Sequence, residues 1–525
     1  MNSEQTRKPG PACRLKTACA LLLGLRPHDL RAAGSFMARM YPDQRWLTRF
    51  CRFALWAVAQ AFGAIPTALG RARFQRPVAK TPIWLAEGNP LANHPWAGSG
   101  QEALPDRVDA VVIGAGFTGA SCAYHWSKQK EGGRLVVLEM GDPASGASGR
   151  NEGLVVMGRY FTMVRDTVRP YLDRVRKDMT PAERHQLASQ FAGVYARSAY
   201  KNAALIEETI KSEGYECDYV RNGWIQAMDQ GGQRGLEESI QAGAEAGLDD
   251  WGSLSVAETL ERGGMRVAHP SGFSRQAACF HPAKWVWSLL QTALRKTDIE
   301  LFTRTRVEEV ADDGEEGYVV RTDRGTIRAR SVVNATESYT ALLHRQYRDI
   351  LWPVQTQAAF GLGGPEGVRA GIGLSGGLGF FGRHKGPDGD GVIFGSDATR
   401  VSHRRAGSNR PSRSITKVLV GELYRYFGDG DVAVTHEWSG TPGFTVDEYP
   451  VVGRLDGKRQ YIIGGMCGSG TAVSFNGARH VVQQILELVG PDDYPEAYFA
   501  PTRLLDPANH PWPKLTKGGD SDGQT

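Results

Sequence analysis

Residues 110–113 (Ala-Val-Val-Ile) are apolar at every position, which predicts a short strand buried on both faces, as in a parallel sheet. Glycines follow at 114, 116 and 119, and residues 120–126 continue as a helix. Residues 134–138 repeat the apolar run after Arg134 and end at Glu139, predicting a second parallel strand. Thr180-Pro-Ala-Glu183 has the spacing of a capping box with proline at the first helical position, so a helix should start there and stop near Gly214. Residues 219–228 read as strand, turn, strand; 232–262 as helical with breaks; 281–294 as a helix opened by His281. Strands are expected at 299–303, 306–310 and 331–336, with a hairpin turn through Asp323-Arg324-Gly325. Residues 351–400 alternate short strands with glycine turns, 404–414 form a basic surface loop, and 464–489 read as strand, glycine loop, helix. Residues 81–108, punctuated by Pro82, Pro90, Pro95 and Pro105, are expected to be an extended linker, and the tail after Pro513 to be disordered.

The first 80 residues follow another pattern. Arg45, Arg49 and Arg52 share one side of a helix, with Trp46, Phe50, Phe53 and Ala57 on an adjoining face, until Pro66. Three readings remain open: an arm packed on the body, an anchor at a membrane interface, or a span. Gln60 and Pro66 make the span marginal. The apolar run 18–24 is short for a signal peptide and lacks a clear cleavage site.

Length and charge narrow the picture. A chain of 525 residues holds roughly two to four structural units. The net charge is +5, but residues 1–80 alone carry a net +11, so the main body is acidic and nucleic-acid binding by it is not expected. Seven scattered cysteines without a CxxC imply neither a disulfide framework nor a zinc site. Cys279 and His281 are too few ligands for a metal site, and none is expected. A reducing cytoplasmic setting fits, and the anchor reading of residues 1–80 would add peripheral membrane contact.

Gly114, Gly116 and Gly119 stand at GxGxxG spacing between a strand and a helix. Such glycines allow a tight turn, backbone approach to a pyrophosphate, and close packing of helix on strand. The phosphates would meet unpaired N–H groups at a helix start. Glu139, 23 residues beyond Gly116, ends the next strand, where a carboxylate accepts from a ribose. A dinucleotide site is the prediction.

Three further blocks carry a resemblance. Residues 146–153 (Gly-Ala-Ser-Gly-Arg-Asn-Glu-Gly) are similar to a flavin loop of the form S-G-R-N-G-G, with Glu152 in place of the first glycine of the pair. Residues 306–310 look like an adenine-clamping strand. Trp438, Gly440, Thr445, Asp447, Pro450 and Gly453 fit W-x-G followed by T-x-D-x-x-P-x-x-G, and a glycine-rich turn follows at 464–472. With the first motif, these blocks make the chain resemble the FAD-dependent oxidoreductases of the D-amino acid oxidase, glycine oxidase and sarcosine oxidase family. The look is nearest to the amine-oxidising branch typified by gamma-glutamylputrescine oxidoreductase.

The resemblance implies an α/β, two-lobed architecture: a Rossmann-type FAD-binding domain (109–180, 271–350, 437–495) and an antiparallel-sheet substrate domain (181–270, 351–436). The appendage 1–80, the linker 81–108 and the tail 496–525 lie outside both. FAD would be held by Gly114, Gly116, Gly119, Glu139, Ser148, Arg150, Asn151, Val307 and the turn containing Gly465, Cys467, Gly468, Ser469, Gly470 and Thr471. The amides from Cys467 to Thr471 would face the flavin pyrimidine. Relatives often carry histidines in that turn, where this chain has Met466, Cys467 and Ser469. Cys467 lies close enough to the expected flavin to raise a covalent link, although relatives that attach flavin through cysteine do so elsewhere. Arg383 is the expected contact for a substrate anion, while His281 reads as a helix cap and Lys385 as a solvated turn residue.

The implied reaction is oxidation of an amine or amino-acid C–N bond by hydride transfer to flavin N5. Imine hydrolysis follows, and electrons pass to oxygen or another acceptor. No protein base is strictly required. The alternatives are a 2-hydroxy acid or polyol dehydrogenase donating to a membrane quinone, and a flavin-binding subunit without turnover.

Overall fold

The computed structural model describes residues 10–24, 27, 34, 44–66, 72–94, 103–130, 132–156, 161–377, 379–400, 406–407, 410–428, 430–455, 457–488 and 494–515. The apolar runs read from the sequence form the centre of an 8-stranded sheet. Gly325–Asn334, Arg107–Ile113, Leu135–Leu138 and Ile299–Phe302 lie side by side and parallel. The antiparallel strands Val307–Asp312 and Tyr318–Thr322 extend one side, and Gln460–Gly464 joins Gly325–Asn334. Central strands have no solvent face, which is why Leu135–Leu138 is buried at every residue. The helices Phe117–Ser127, Pro282–Ala293 and Ser474–Ile485 meet through Phe475. Its ring centroid lies 5.7 Å from that of Tyr124 and 5.4 Å from that of Trp285.

The second sheet is 10-stranded and runs Ala72–Ala79, Val432–Gly440, Leu351–Gly363, Gly389–Arg400, Gly379–Gly386, Gly373–Gly376, Trp224–Ala227, Ser271–Ser274, Trp251–Leu254, with Gly443–Thr445 paired to the start of Leu351–Gly363. It is largely antiparallel, with parallel pairings where Ala72–Ala79 meets Val432–Gly440 and where Gly373–Gly376 meets Trp224–Ala227.

The helix Pro181–Glu213 has its capping box, with Thr180 and Glu183 exchanging hydrogen bonds, and ends at left-handed Gly214. It packs into the core of the nucleotide sheet through Leu187, Phe191 and Ile206, and Asn202 bonds to Thr471 and Asn476. The domain boundary expected at 181 is therefore displaced. So is that at 271, because Ser271–Ser274 belongs to the second sheet. A strand, Trp251–Leu254, interrupts the helices of 232–262.

Three other expectations are corrected. The linker 81–108 folds: Ile83–Ala86 is a helical turn with Ile83 and Trp84 buried, and Leu91 is buried beyond it; residues 95–102 lie outside the described ones. The tail 496–525, expected to lie outside both domains, packs into the core through Phe499 and Leu504, while the disorder expected after Pro513 falls on residues that from 516 lie outside the described ones. Glu496–Phe499 and Thr502–Leu505 are helical, and Arg503 is fully buried. The loop 404–414, of which 404–405 and 408–409 lie outside the described residues, gives way to a helix, Arg413–Phe427, packed through Leu419, Leu423 and Phe427.

At the start of the chain, Pro11–Gly24 and Trp46–Ala59 are helices, but the appendage is not helical throughout, since Ala72–Ala79 is a sheet strand. Trp46–Ala59 buries none of its residues; Trp46, Phe50, Leu55 and Val58 are exposed. The end of the run is packed, with Ile65 buried against Gly421 of the helix Arg413–Phe427. Among the described residues, no helix is long and apolar enough to cross a membrane.

Candidate active site

A cavity of about 690 Å³ opens at the C-terminal ends of the parallel strands and continues beneath the second sheet. One end is lined by Gly114, Gly116, Phe117, Glu139 and Met140, the other by Leu154, Val156, Gln357, Ala358 and Phe380.

The glycine turn is built for close approach. Gly114 has φ +105°, and a Cβ there would lie 2.6 Å from Ala335 O. At Gly116 a Cβ would lie 2.7 Å from Ser148 Oγ, the atom that accepts from the Phe117 amide at 2.8 Å. Gly119 packs directly on Gly114 O. Glu139 accepts from the amides of Ala115 (2.8 Å) and Gly141 (2.7 Å), and burial pushes its pKa up.

The loop after the second strand is clamped from several sides. Asn151 donates to Ser148 O at 2.7 Å and accepts from Gly153 N at 2.8 Å. Arg150 donates to Ser145 O (2.8 Å) and Ser439 O (3.2 Å). Two distant indoles hold its backbone: Trp438 Nε1 donates to Arg150 O at 3.0 Å and Trp84 Nε1 to Asn151 O at 2.8 Å. Ser148, Arg150, Asn151 and Val307 all line the cavity.

The last glycine turn contributes only partly. Gly468, Gly470 and Thr471 reach the cavity, as do Met466 and Ser474, whereas Gly465, Cys467 and Ser469 are not among its lining. The Cys467 and Ser469 amides are taken by Gly443 O and Met466 O, so they do not point at a ligand. The Cys467 thiol bonds Gly465 O at 3.1 Å, within its own turn, an arrangement that offers nothing to a covalent link. Arg383 does not face the cavity either. Its guanidinium donates to Val368 O (3.0 Å) and Pro365 O (2.7 Å). His281 is a cap, accepting from the Lys284 amide through Nδ1.

Two cavity residues were not anticipated as site groups. Glu337, at φ +48°, accepts from the Gly443 amide at 2.7 Å and the Met466 amide at 3.3 Å, and burial raises its pKa to about 7. A sequence signal exists: like Glu139, it lies just past the C-terminal end of a parallel strand. Glu152 also lines the cavity, with its pKa raised by burial to about 7. Its signal was its departure from the glycine pair. Among the described residues, no cluster of side chains is suited to a metal ion.

A strand, glycine turn, helix and ribose-side acid around one cavity fit a dinucleotide, and the family model described as DAO, FAD dependent oxidoreductase, matches residues 109–484. The chain belongs to this family. FAD is accordingly the cofactor. DAO-family relatives in curated sequence include the hydrogen cyanide synthase subunit HcnC of Pseudomonas aeruginosa, 25% identical over 45% of this chain and 59% of that one. The probable oxidoreductase OrdL of Haemophilus influenzae is 21% identical over 73% of this chain and 83% of its own. Gamma-glutamylputrescine oxidoreductase of Escherichia coli is 27% identical over 44% and 49%. The chain thus spans 59% of the length of HcnC and about half of the Escherichia coli enzyme. In fold, this DAO-family chain is similar to glycine oxidase from Geobacillus kaustophilus, with a TM-score of 0.59 at 18% identity, covering 76% of this chain and 99% of that one.

Proposed function

We propose that the chain oxidises the C–N bond of a small amine or amino acid. The observation that carries this reading is the single cavity running from the glycine turn to an apolar end under the second sheet, lined by Leu154, Val156, Phe380 and Met466. FAD, when bound, would supply a two-electron acceptor for a hydride leaving the substrate carbon, with oxygen or a quinone as the final acceptor.

The chain's own residues bind, orient and exclude. Gly116 and the Thr118 amide, next along the helix Phe117–Ser127, would hold the pyrophosphate, Glu139 the ribose and Val307 the adenine. Ser148, Arg150 and Asn151 hold the loop against the cofactor, and Gly468, Gly470 and Thr471 close its far end. The apolar end keeps water away from the substrate carbon, leaving hydrolysis of the imine product to follow its release. Residues 1–80 make peripheral contact with a membrane surface, which is supported by their charge and the exposed apolar face of Trp46–Ala59.

The test is an anaerobic titration of the yellow holoenzyme with amines, amino acids and hydroxy acids. Bleaching by amines or amino acids is expected, and bleaching by hydroxy acids alone would refute the reading. Peroxide formed in air identifies oxygen as the acceptor.

A further inference from the structure

We infer that Glu152 binds the substrate nitrogen as its ammonium and takes its proton. This rests on the C–N oxidation reading above and narrows it.

Where the cavity runs beneath the second sheet, its lining is Leu154, Val156, Gln357, Ala358, Phe380 and Glu152. Among these six residues Glu152 alone carries charge, and Arg150, beside Gly440 of the second sheet, lines the cavity too. Two guanidiniums nearby are held by backbone carbonyls. Arg383 is turned onto Pro365 O and Val368 O, and Arg150 is held by Ser145 O and Ser439 O. An ammonium entering this end of the cavity would find a carboxylate.

Glu152 is also held in place. The carbonyls on its N-terminal side are fixed by Trp438 (Arg150 O) and Trp84 (Asn151 O), and on its C-terminal side the Phe280 amide donates to Gly153 O at 2.9 Å. No described residue offers its carboxylate a hydrogen-bond donor or a cation, and burial alone accounts for the rise of its pKa to about 7. A half-buried carboxylate that faces a cavity without a partner gains from a cationic ligand.

The step balances without a redox partner. An alkylammonium titrates near about 10 in water and has no lone pair to assist loss of hydride. Its N–H bond breaks, an O–H bond forms on Glu152, and a neutral amine and a carboxylic acid result, with no electrons exchanged. A carboxylate titrating near 7 accepts that proton more readily than an ordinary glutamate.

Other titratable groups bear on any pH profile. Cys279, on the strand paired with Leu154–Val155, is pushed up to about 12 and stays neutral. Arg150, Arg306 and Glu308 line the same cavity, as do Glu139 and Glu337; Glu337 titrates in the same window as Glu152. A profile is therefore assigned only by comparison with a variant.

Tert-butylamine and pivalate make the test. They match in shape and oppose in charge, and neither has a hydrogen on the carbon beside its charged group, so neither is oxidised. Calorimetry on the holoenzyme at pH 8 should give at least about tenfold tighter binding of tert-butylamine, the scale of one charged hydrogen bond. That preference should fade as pH falls through about 7. Glu152→Gln should abolish both the preference and its pH dependence while keeping the bound flavin spectrum, and Glu152→Asp should restore part. A preference unchanged in Glu152→Gln overturns the inference, as does its absence from the wild type. Should Glu152→Gln lose FAD, the wild-type profile decides, and a flat one between pH 6 and 8 sinks the idea. If amines bleach both proteins with the same KM, this inference fails while C–N oxidation stands; if only hydroxy acids bleach, the underlying reading fails.

Discussion

Arg503 reaches 56 residues back along the chain to Asp447, with Nε 2.8 Å from Oδ2 and Nη2 3.2 Å from Oδ1. Both side chains are excluded from solvent, at 0% and 1% exposure. Arg503 also donates to the carbonyls of Tyr449 and Phe499, and Asp447 accepts from Thr445. Arg503→Met leaves the aspartate buried without its cation, so a loss of about 3–5 kcal/mol is expected in urea unfolding. An unchanged midpoint would show that the pair does not brace this turn.

Gly116→Val places side-chain atoms where Ser148 Oγ meets the Phe117 amide. The expected outcome is folded but largely colourless protein, measured as the ratio of visible to protein absorbance with far-UV circular dichroism as the control. Full flavin content would remove this turn from the cofactor site.

Trp84→Phe keeps most of the buried ring and deletes the bond to Asn151 O. The loss should be about 1 kcal/mol, read as roughly fivefold weaker FAD binding on reconstitution of stripped protein. Binding as tight as wild type would mean the loop is held without this indole.

Glu337 has a folded-state pKa of about 7 against an ordinary 4.5, caused by burial. The folded state therefore holds its proton more tightly than the unfolded one. The stabilisation is complete below about 4.5 and is lost as pH rises through about 7. In FAD-free protein, Glu337→Gln should flatten the fall in stability between pH 5 and 7 seen by urea titration. A slope identical to wild type would contradict the assignment.

The exposed face of Trp46–Ala59 should bring the protein down with anionic vesicles at low salt and release it at high salt. A chain beginning at Ala72, which keeps the sheet strand, should stay in the supernatant. Equal sedimentation of both would exclude the helix as the contact.

What could be read from the residues was what neighbouring residues decide. The buried strands around Ala110 and Leu135 and the capping box at Thr180 depend on local pattern alone, and the structure contains them. Trp84, Arg503 and Glu337 have roles set by partners far along the chain, and nothing in their own neighbourhoods announces those partners. Arg383 shows the converse. Its charge is plain in the sequence, but the carbonyls of Pro365 and Val368 that absorb it come from a separate loop. The helix Arg413–Phe427 did carry a signal, in the spacing of Thr416, Leu419, Leu423 and Tyr426, obscured by the Ser/Pro-rich loop before it.

The strand Ala72–Ala79 has a practical consequence. It runs parallel along Val432–Gly440, which would otherwise be the rim of the larger sheet, with unpaired amides and carbonyls facing outward. Expression trimmed to the span 109–484 would strip off that cover and leave a nine-residue ribbon free to template other chains. Material cut in this way should clump or co-purify with chaperones, while material retaining the strand stays dispersed.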